Sequence, residues 1–308
     1  MLNIENIIQK FKDKPYLRKK NSAELAKILN VSYDDIVKAR KAIHNSKKNT
    51  IKIPKILIFD LETAPMQAYV WGRWKQDISL NQTISEWFII CWSAKWLYSS
   101  EVMGDVLTSE EALNEDDSRI VKSLWKLINE ADIVVAHNGN KADIPWMNTR
   151  FILNNLTPPK PYFSIDTCLV ARKQFNFSSN RLDALATYFN LADNKLDTDF
   201  TLWRDCLKGN KKALCYMLEY NKMDVKVLEE IYLKLRPWIK NHPNISNLLS
   251  SRHSCPYCGQ EELKEIQGKS YFTNVNEYKI YRCNHCKGVS RGRTSIKNNR
   301  VNYTNNLK

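Results

Sequence analysis

The sequence contains no apolar run approaching the roughly 20 residues that span a bilayer, which argues against a transmembrane helix. Its opening stretch, MLNIENIIQKFKDK, has no apolar core of the kind a secretory signal needs, so the expectation is a cytoplasmic protein, bacterial or phage-encoded, with no membrane partner. Internal repeats are absent, and so is any low-complexity segment before the last stretch of the chain. Acidic side chains are in short supply: 33 Asp and Glu stand against 47 Lys and Arg, and the resulting +14 favours an anionic partner such as nucleic acid. Hydrophobic residues at 43% exclude a mostly disordered chain, and 308 residues allow one large domain with one or two small ones.

The positive excess sits at the ends. Residues 1–55 hold 14 basic and 5 acidic side chains and residues 241–308 hold 11 and 4, whereas the middle has 22 and 24. Basic flanks suit phosphate binding, and an acid-containing body can hold cations or do chemistry. Residues 1–50 read as a small helical unit in which Leu25, Ala26 and Leu29 line one helix and Ile36, Val37 and Ile43 the next, with Asn30-Val31 between. Ser32 followed by Asp35 resembles a capping box. The pattern is that of a helix-turn-helix, whose second helix would enter a major groove; packing or protein contact is the plainer alternative. Residues 45–55 are polar and basic, as a linker would be.

From residue 51 to about 240 the pattern predicts a mixed sheet flanked by helices, an α/β body. ILIFD is an apolar strand that stops at an acid, FIICWSAKWL and EVMGDVLT read as a hairpin, and a helix is expected near 110–130. DIVVA and YFSID follow as strands, WMNTRFILNN and two segments near 167–190 as helices, and 210–236 as one long helix. Asp60 and Glu62 alternate at a strand end, which puts both carboxylates on one face. Buried like charges that close are costly without a cation, and a hard divalent ion such as Mg²⁺ or Mn²⁺ is the natural partner. Asp143 lies where a loop enters a helix, where an acid also favours the helix dipole. Tyr220 and Asp224, four apart, share a helix face. Each feature alone is commonplace; their order along these elements is not.

These segments resemble the DEDD superfamily of 3′–5′ exonucleases, which have a ribonuclease H-like fold. FDLET matches the D-x-E motif with Asp60 and Glu62, AHNGNKADIP the second motif with Asp143, and YNKMD the Y-x-x-x-D motif with Tyr220 and Asp224. The histidine branch would place its histidine at position 219, which is Glu219, so the resemblance is to the tyrosine branch, similar to the proofreading domains of family B DNA polymerases. FSIDTCLVARKQF and NRLDALATYFNL also look like that family, whereas Ala142 stands where an aromatic residue is frequent. The resemblance implies two Mg²⁺ or Mn²⁺ ions. Asp60, Glu62 and Asp224 would bind one, and Asp60 and Asp143 the other. Tyr220 would orient the attacking water, and Asn138 with the Gly139 backbone would shape the terminal-nucleotide pocket. It further implies DNA with a 3′ end as substrate and a replication or repair setting for any protein partner.

The stretch AYVWGRWKQ interleaves Tyr69, Trp71 and Trp74 with Arg73 and Lys75, a composition suited to stacking on unpaired bases. Core packing is the competing expectation for at least one of the tryptophans. Cys91, Cys168, Cys206 and Cys215 read as reduced core residues. Cys255, Cys258, Cys283 and Cys286 form two C-x-x-C units separated by a strand-rich segment, the pattern of a zinc ribbon over 250–290 holding one structural Zn²⁺. His253 and His285 lie beside these ligands in surface or supporting roles. Residues 291–308 read as a basic flexible tail. Two further readings stay open: an RNA exonuclease or structure-specific endonuclease on the same fold, and a DNA-binding regulator whose nuclease-like body is a scaffold.

Overall fold

A computed structural model describes residues 4–13, 17, 20–48, 54–191, 198–249 and 253–296. The chain divides into two compact units, Met1–Ile53 with Leu248–Arg252, and Pro54–Asn247 with His253–Lys308.

The first unit contains three helices, α1 (Ile4–Asp13), α2 (Ser22–Leu29) and α3 (Tyr33–Lys48), packed around Ile7, Phe11, Leu17, Leu25, Leu29, Ile36 and Ala39. Short polar side chains set the helix ends. Asn21 accepts the Glu24 N–H (2.8 Å) at the start of α2, and Asn30 closes that helix in the left-handed region. Ser32 accepts the Asp35 N–H (3.0 Å) and donates to its carboxylate, which starts α3. Ala26 packs at the margin, Val37 is half-buried, and the Ile43 side chain lies outside the described residues. The helix continues to Lys48, so the first part of the segment read as a linker is helical, and 49–53 lie outside the described residues.

The second unit is built on β1 (Ile56–Thr63). A two-stranded ribbon of β2 (Gln67–Ala68) and β3 (Thr83–Ser85) follows, then β4 (Ile89–Trp96) and β5 (Met103–Val106). Next come α4 (Ser109–Leu113), α5 (Ser118–Glu130), β6 (Ile133–Ala136), α6 (Asp143–Leu153), β7 (Phe163–Asp166), α7 (Thr167–Gln174), α8 (Leu182–Tyr188), α9 (Phe200–Leu207), α10 (Lys211–Leu235) and α11 (Ile245–Leu249). The helix expected near 110–130 is therefore two, and α9 was not legible in the pattern. Strand order is β5-β4-β1-β6-β7, with β1 antiparallel to β4 and parallel to β6. The central strand ILIF is buried throughout, as expected for a strand covered on both faces. Helix α10 starts at Asn210, whose side chain accepts the Lys212 and Ala213 N–H groups; it packs on β1 and β4, with Leu214 and Met217 of its apolar stripe in the sheet's core, and farther along buries Ile231 and Leu235 against Ala171 of α7 and Leu185 of α8. Cys91, Cys168 and Cys206 are buried, but Cys215 is exposed, because its position on α10 falls off that apolar stripe.

Three antiparallel strands, β8 (Leu263–Phe272), β9 (Glu277–Cys283) and β10 (Val289–Ser295), complete this unit in the order β10-β9-β8. Strand β10 runs past residue 290, so Arg291 and Arg293 belong to the sheet rather than to a tail; residues 297–308 lie outside the described residues. His242 links the two parts of the unit. One ring nitrogen meets the Tyr232 hydroxyl of α10 at 2.9 Å, the other meets the Pro243 carbonyl at 2.7 Å, and the ring faces Tyr257 with centroids 5.7 Å apart. No helix among the described residues is long and apolar enough to cross a membrane.

Candidate functional site

The acids converge where β1 outruns β6. Strand β6 pairs with β1 only from Ile56 to Ile58, while β4 stays paired to Thr63, so the far half of β1 has one edge without a strand partner. Asp143, the first residue of α6, takes that edge: its buried carboxylate accepts the Leu61 N–H. Asp60 and Glu62 project from the same half-strand, and α10 brings Asp224 to them. Carboxylate oxygens of Asp60, Glu62 and Asp224 all lie within 4.8 Å of one another. Asp143 is outside that trio but adds to the negative field on Asp60 and Glu62.

The electrostatics are those of crowded, partly buried carboxylates. Burial, then the charges of Asp143, Glu62 and Asp224, holds Asp60 well above the usual carboxylate range. Burial and the neighbouring Asp224 and Asp143 push Glu62 up to about 8. Burial raises Asp143 to about 6 against the N–H groups it accepts. Among the described residues no lysine or arginine pairs with Asp60, Glu62 or Asp143, although nearby acids such as Asp117 do have such partners (Arg150, 2.6 Å). An all-oxygen, partly open set of this kind fits a hard divalent cation.

Tyr220 is half-buried beside the trio, and its hydroxyl hydrogen-bonds with Asp224 and Thr198. Burial and the charges of Asp224 and Glu62 raise it above its ordinary value, so it is a proton donor at neutral pH. Glu219 is exposed and paired with Lys222 (2.8 Å).

Asn138 and Gly139 lie in the turn between β6 and α6. Asn138 adopts a left-handed conformation (φ 63°), and a Cβ on Gly139 would lie 2.3 Å from the Ala136 Cβ, so only glycine fits. Asp166, at the end of β7, holds this turn by accepting the N–H groups of Asn138 (3.0 Å) and Asn140 (3.1 Å), besides capping α7 at Leu169. Asp166 was not singled out in the sequence, because its role depends on β7 lying beside β6. Asn221 was also missed. It is fully buried on α10 and donates to Asp60 at 2.7 Å, leaving its own oxygen without a partner. A polar residue within an otherwise apolar helical stripe was the available signal.

Trp71, Arg73 and Trp74 do not join the acids. Trp71 is 99% and Trp74 87% exposed, which overturns the expectation that one of these rings is core: they sit on the tip carried by β2 and β3, beyond the reach of the sheet.

The four paired cysteines meet at one point. The Cys255 and Cys286 sulfurs are 3.6 Å apart and those of Cys258 and Cys283 3.7 Å, close to the ~3.8 Å edge of a tetrahedron with 2.3 Å Zn–S bonds. Both knuckles are built alike. Gly259 N–H returns to the Cys255 carbonyl and Lys287 N–H to that of Cys283, each from a residue with positive φ (78° and 65°). Hydrogen bonds from Cys255 and Cys258 hold the Cys286 thiol far below its usual range, towards the thiolate that a cation requires. His253 and His285 are exposed and outside the cluster.

A five-stranded mixed sheet of this order, flanked by helices and carrying acids at the end of its central strand, gives the body a ribonuclease H-like fold. Residues 98–236 match the family model RNase_H_2 of the RNase H superfamily. DNA polymerase III PolC-type from Ureaplasma parvum serovar 3 is 28% identical over 149 residues, 47% of this chain; the match spans only 10% of that protein's length. The family B DNA polymerase from the hyperthermophilic archaeon Pyrobaculum calidifontis superposes with a TM-score of 0.41 at 12% identity, over 74% of this chain and 33% of that one.

Proposed function

We propose that the protein is a divalent-metal-dependent 3′–5′ exonuclease of the DEDD tyrosine branch that hydrolyses phosphodiester bonds of DNA. The observation that carries this reading is the meeting of Asp60, Glu62 and Asp224 within 4.8 Å, with Asp143 and Tyr220 beside them and, among the described residues, no basic side chain paired to Asp60, Glu62 or Asp143. Divalent cations bound there, Mg²⁺ or Mn²⁺, would acidify water and neutralise charge developing at phosphorus. The chain's own residues do the rest. Asp60, Glu62, Asp143 and Asp224 hold the cations, and Asn221 fixes the Asp60 rotamer through its amide. Tyr220, kept protonated, would turn its single O–H from Asp224 to the attacking water and so orient it; it is too weak a base to take the proton. The turn at Asn138 and Gly139, held by Asp166, forms the wall against which the terminal nucleotide rests.

The Cys255, Cys258, Cys283 and Cys286 cluster holds one structural Zn²⁺, supported by sulfur spacings that match a tetrahedral site. The two basic flanks of the sequence, 1–55 and 241–308, hold phosphates, while the near-neutral segment between them performs the cut. The test is incubation of the full chain with 5′-labelled single-stranded DNA, duplex DNA and RNA in Mn²⁺. A ladder shortening from the 3′ end of DNA is expected. Discrete internal cuts would instead indicate an endonuclease, preference for RNA would change the substrate, and no cleavage would favour a binding protein.

A further inference from the structure

Between Thr63 and Ile89 the chain leaves the sheet and returns, and its tip carries rings that the fold does not use. Tyr69 is 73%, Trp71 99% and Trp74 87% exposed, and Trp71 is the most exposed large hydrophobic side chain among the described residues. Single exposed apolar residues need no explanation, but three aromatic rings within six residues do. The stem beneath them is fixed. Strand β2 pairs with β3, the Tyr69 N–H donates to the Gln82 carbonyl (2.9 Å), and the Gln82 amide donates back to the Tyr69 carbonyl (3.1 Å). The Ser79 N–H donates to the Gln82 side-chain oxygen (3.1 Å), and Gln76 donates to the Trp74 carbonyl at 2.7 Å. The rings are thus displayed on a built support.

Charge indicates what they meet. Arg73 and Lys75, both exposed, alternate with the tryptophans, and neither has a carboxylate partner among the described residues. Aromatic faces with cations between them match unpaired bases joined by phosphates, each ring taking a base and each cation a phosphate. Val70, Leu80 and Ile84 are also exposed on this arm, but Gly72, Arg73 and Lys75 break the apolar surface at its tip, and two cations set beside the rings favour a phosphate-bearing partner over a membrane or an apolar protein face. Both ends of the arm are anchored at the acid site. Ala64, two residues beyond Glu62, is tied to Phe88 (2.8 Å), and Trp87 packs on Trp146, with ring centroids 6.2 Å apart, on the helix that begins with Asp143.

Building on the nuclease reading, we infer that this arm is a second nucleic-acid site, a stacking platform that grips unpaired bases of the strand whose end lies among the acids. Trp71 and Trp74 provide the platform, and Arg73 and Lys75 track the backbone. The arm makes the protein prefer an unpaired strand over a blunt end, since paired bases have no free face to offer it.

The test uses the full chain in EDTA, so that nothing is cut, and compares the parent with Trp71→Ala/Trp74→Ala. The probe is a fluorescein-labelled oligothymidylate of about 20 nucleotides, set against a blunt duplex of equal length. Loss of stacking should weaken oligothymidylate binding at least about 5-fold, the equivalent of ~1 kcal/mol, with duplex affinity changing less than about twofold. Trp71→Phe/Trp74→Phe should keep most of the affinity, and Arg73→Ala should flatten the log K versus log[salt] slope by roughly 0.7. Unchanged oligothymidylate affinity in the double alanine variant, or an equal loss on blunt duplex, overturns the inference. So does arm-dependent binding to phosphatidylserine vesicles with oligothymidylate affinity unchanged. Cleavage by the parent in Mn²⁺ is scored separately: arm-dependent binding without any cleavage leaves the platform standing and removes the nuclease reading.

Discussion

At the scale of single residues, the acid cluster trades stability for charge. Asp60, Glu62 and Asp143 all have folded pKa values above those of an unfolded chain. In the metal-free protein the folded state therefore binds more protons than the unfolded state above about pH 4.5, and stability falls as pH rises. The loss should run through about 6, where Asp143 titrates, to about 8, where Glu62 does. Thermal melts in EDTA between pH 5 and 8 check this, and a flat profile would mean that the carboxylates are not in conflict. Glu62→Gln removes one of the charges and should raise metal-free stability at pH 8 by more than about 1.4 kcal/mol, the worth of one pKa unit, while losing cation-dependent activity. Tyr220→Phe should slow cleavage yet leave Mn²⁺ binding near normal, because it removes a water-orienting hydrogen bond and no cation ligand; lost Mn²⁺ binding in calorimetry would contradict that role.

At the scale of elements, much of the site could be read because it depends on local periodicity. Strand alternation puts Asp60 and Glu62 on one face, and the helical repeat does the same for Tyr220 and Asp224. What brings these pairs together is long-range: β1 outrunning β6, and α10 crossing β1. Asp166 was invisible for that reason, and Asn221 showed only as a polar residue in an apolar helical stripe, each acting on a residue distant in sequence. The aromatic tip failed differently, since periodicity cannot distinguish a core ring from one displayed on a short ribbon. The turn after β6 offers a test at this scale. Gly139→Ala should destabilise by roughly 1–3 kcal/mol through its 2.3 Å approach to the Ala136 Cβ. Ala136→Gly in the same chain should restore much of the loss, because the next contact, the Ala136 Cα, is at an ordinary 3.5 Å. A double variant as unstable as Gly139→Ala in urea titration would mean that the turn, not the contact, requires glycine.

At the scale of the whole molecule, the cysteine module and the ribonuclease H-like body belong to one compact unit, joined at His242 between Tyr232 and Tyr257. Burial lowers His242 to about 4, so it is neutral at physiological pH and adds no second positive charge beside the buried Arg236, which lies over the Tyr232 ring. Elemental analysis should find one zinc per chain that EDTA concentrations sufficient to strip the acid site do not remove. Cys255→Ser with Cys283→Ser should abolish it and melt the ribbon at a lower Tm than the body. The central claim concerns the other metal site, and single-turnover cleavage of 5′-labelled single-stranded DNA by the parent and Asp60→Asn, each in Mn²⁺ and in EDTA, tests it most directly. The account predicts a ladder receding from the 3′ end with the parent in Mn²⁺ alone, and none with an Asp60→Asn protein of normal zinc content and equal or higher Tm. An Asp60→Asn protein that cleaves at the parental rate, or a parent that cleaves equally well in EDTA, would contradict it.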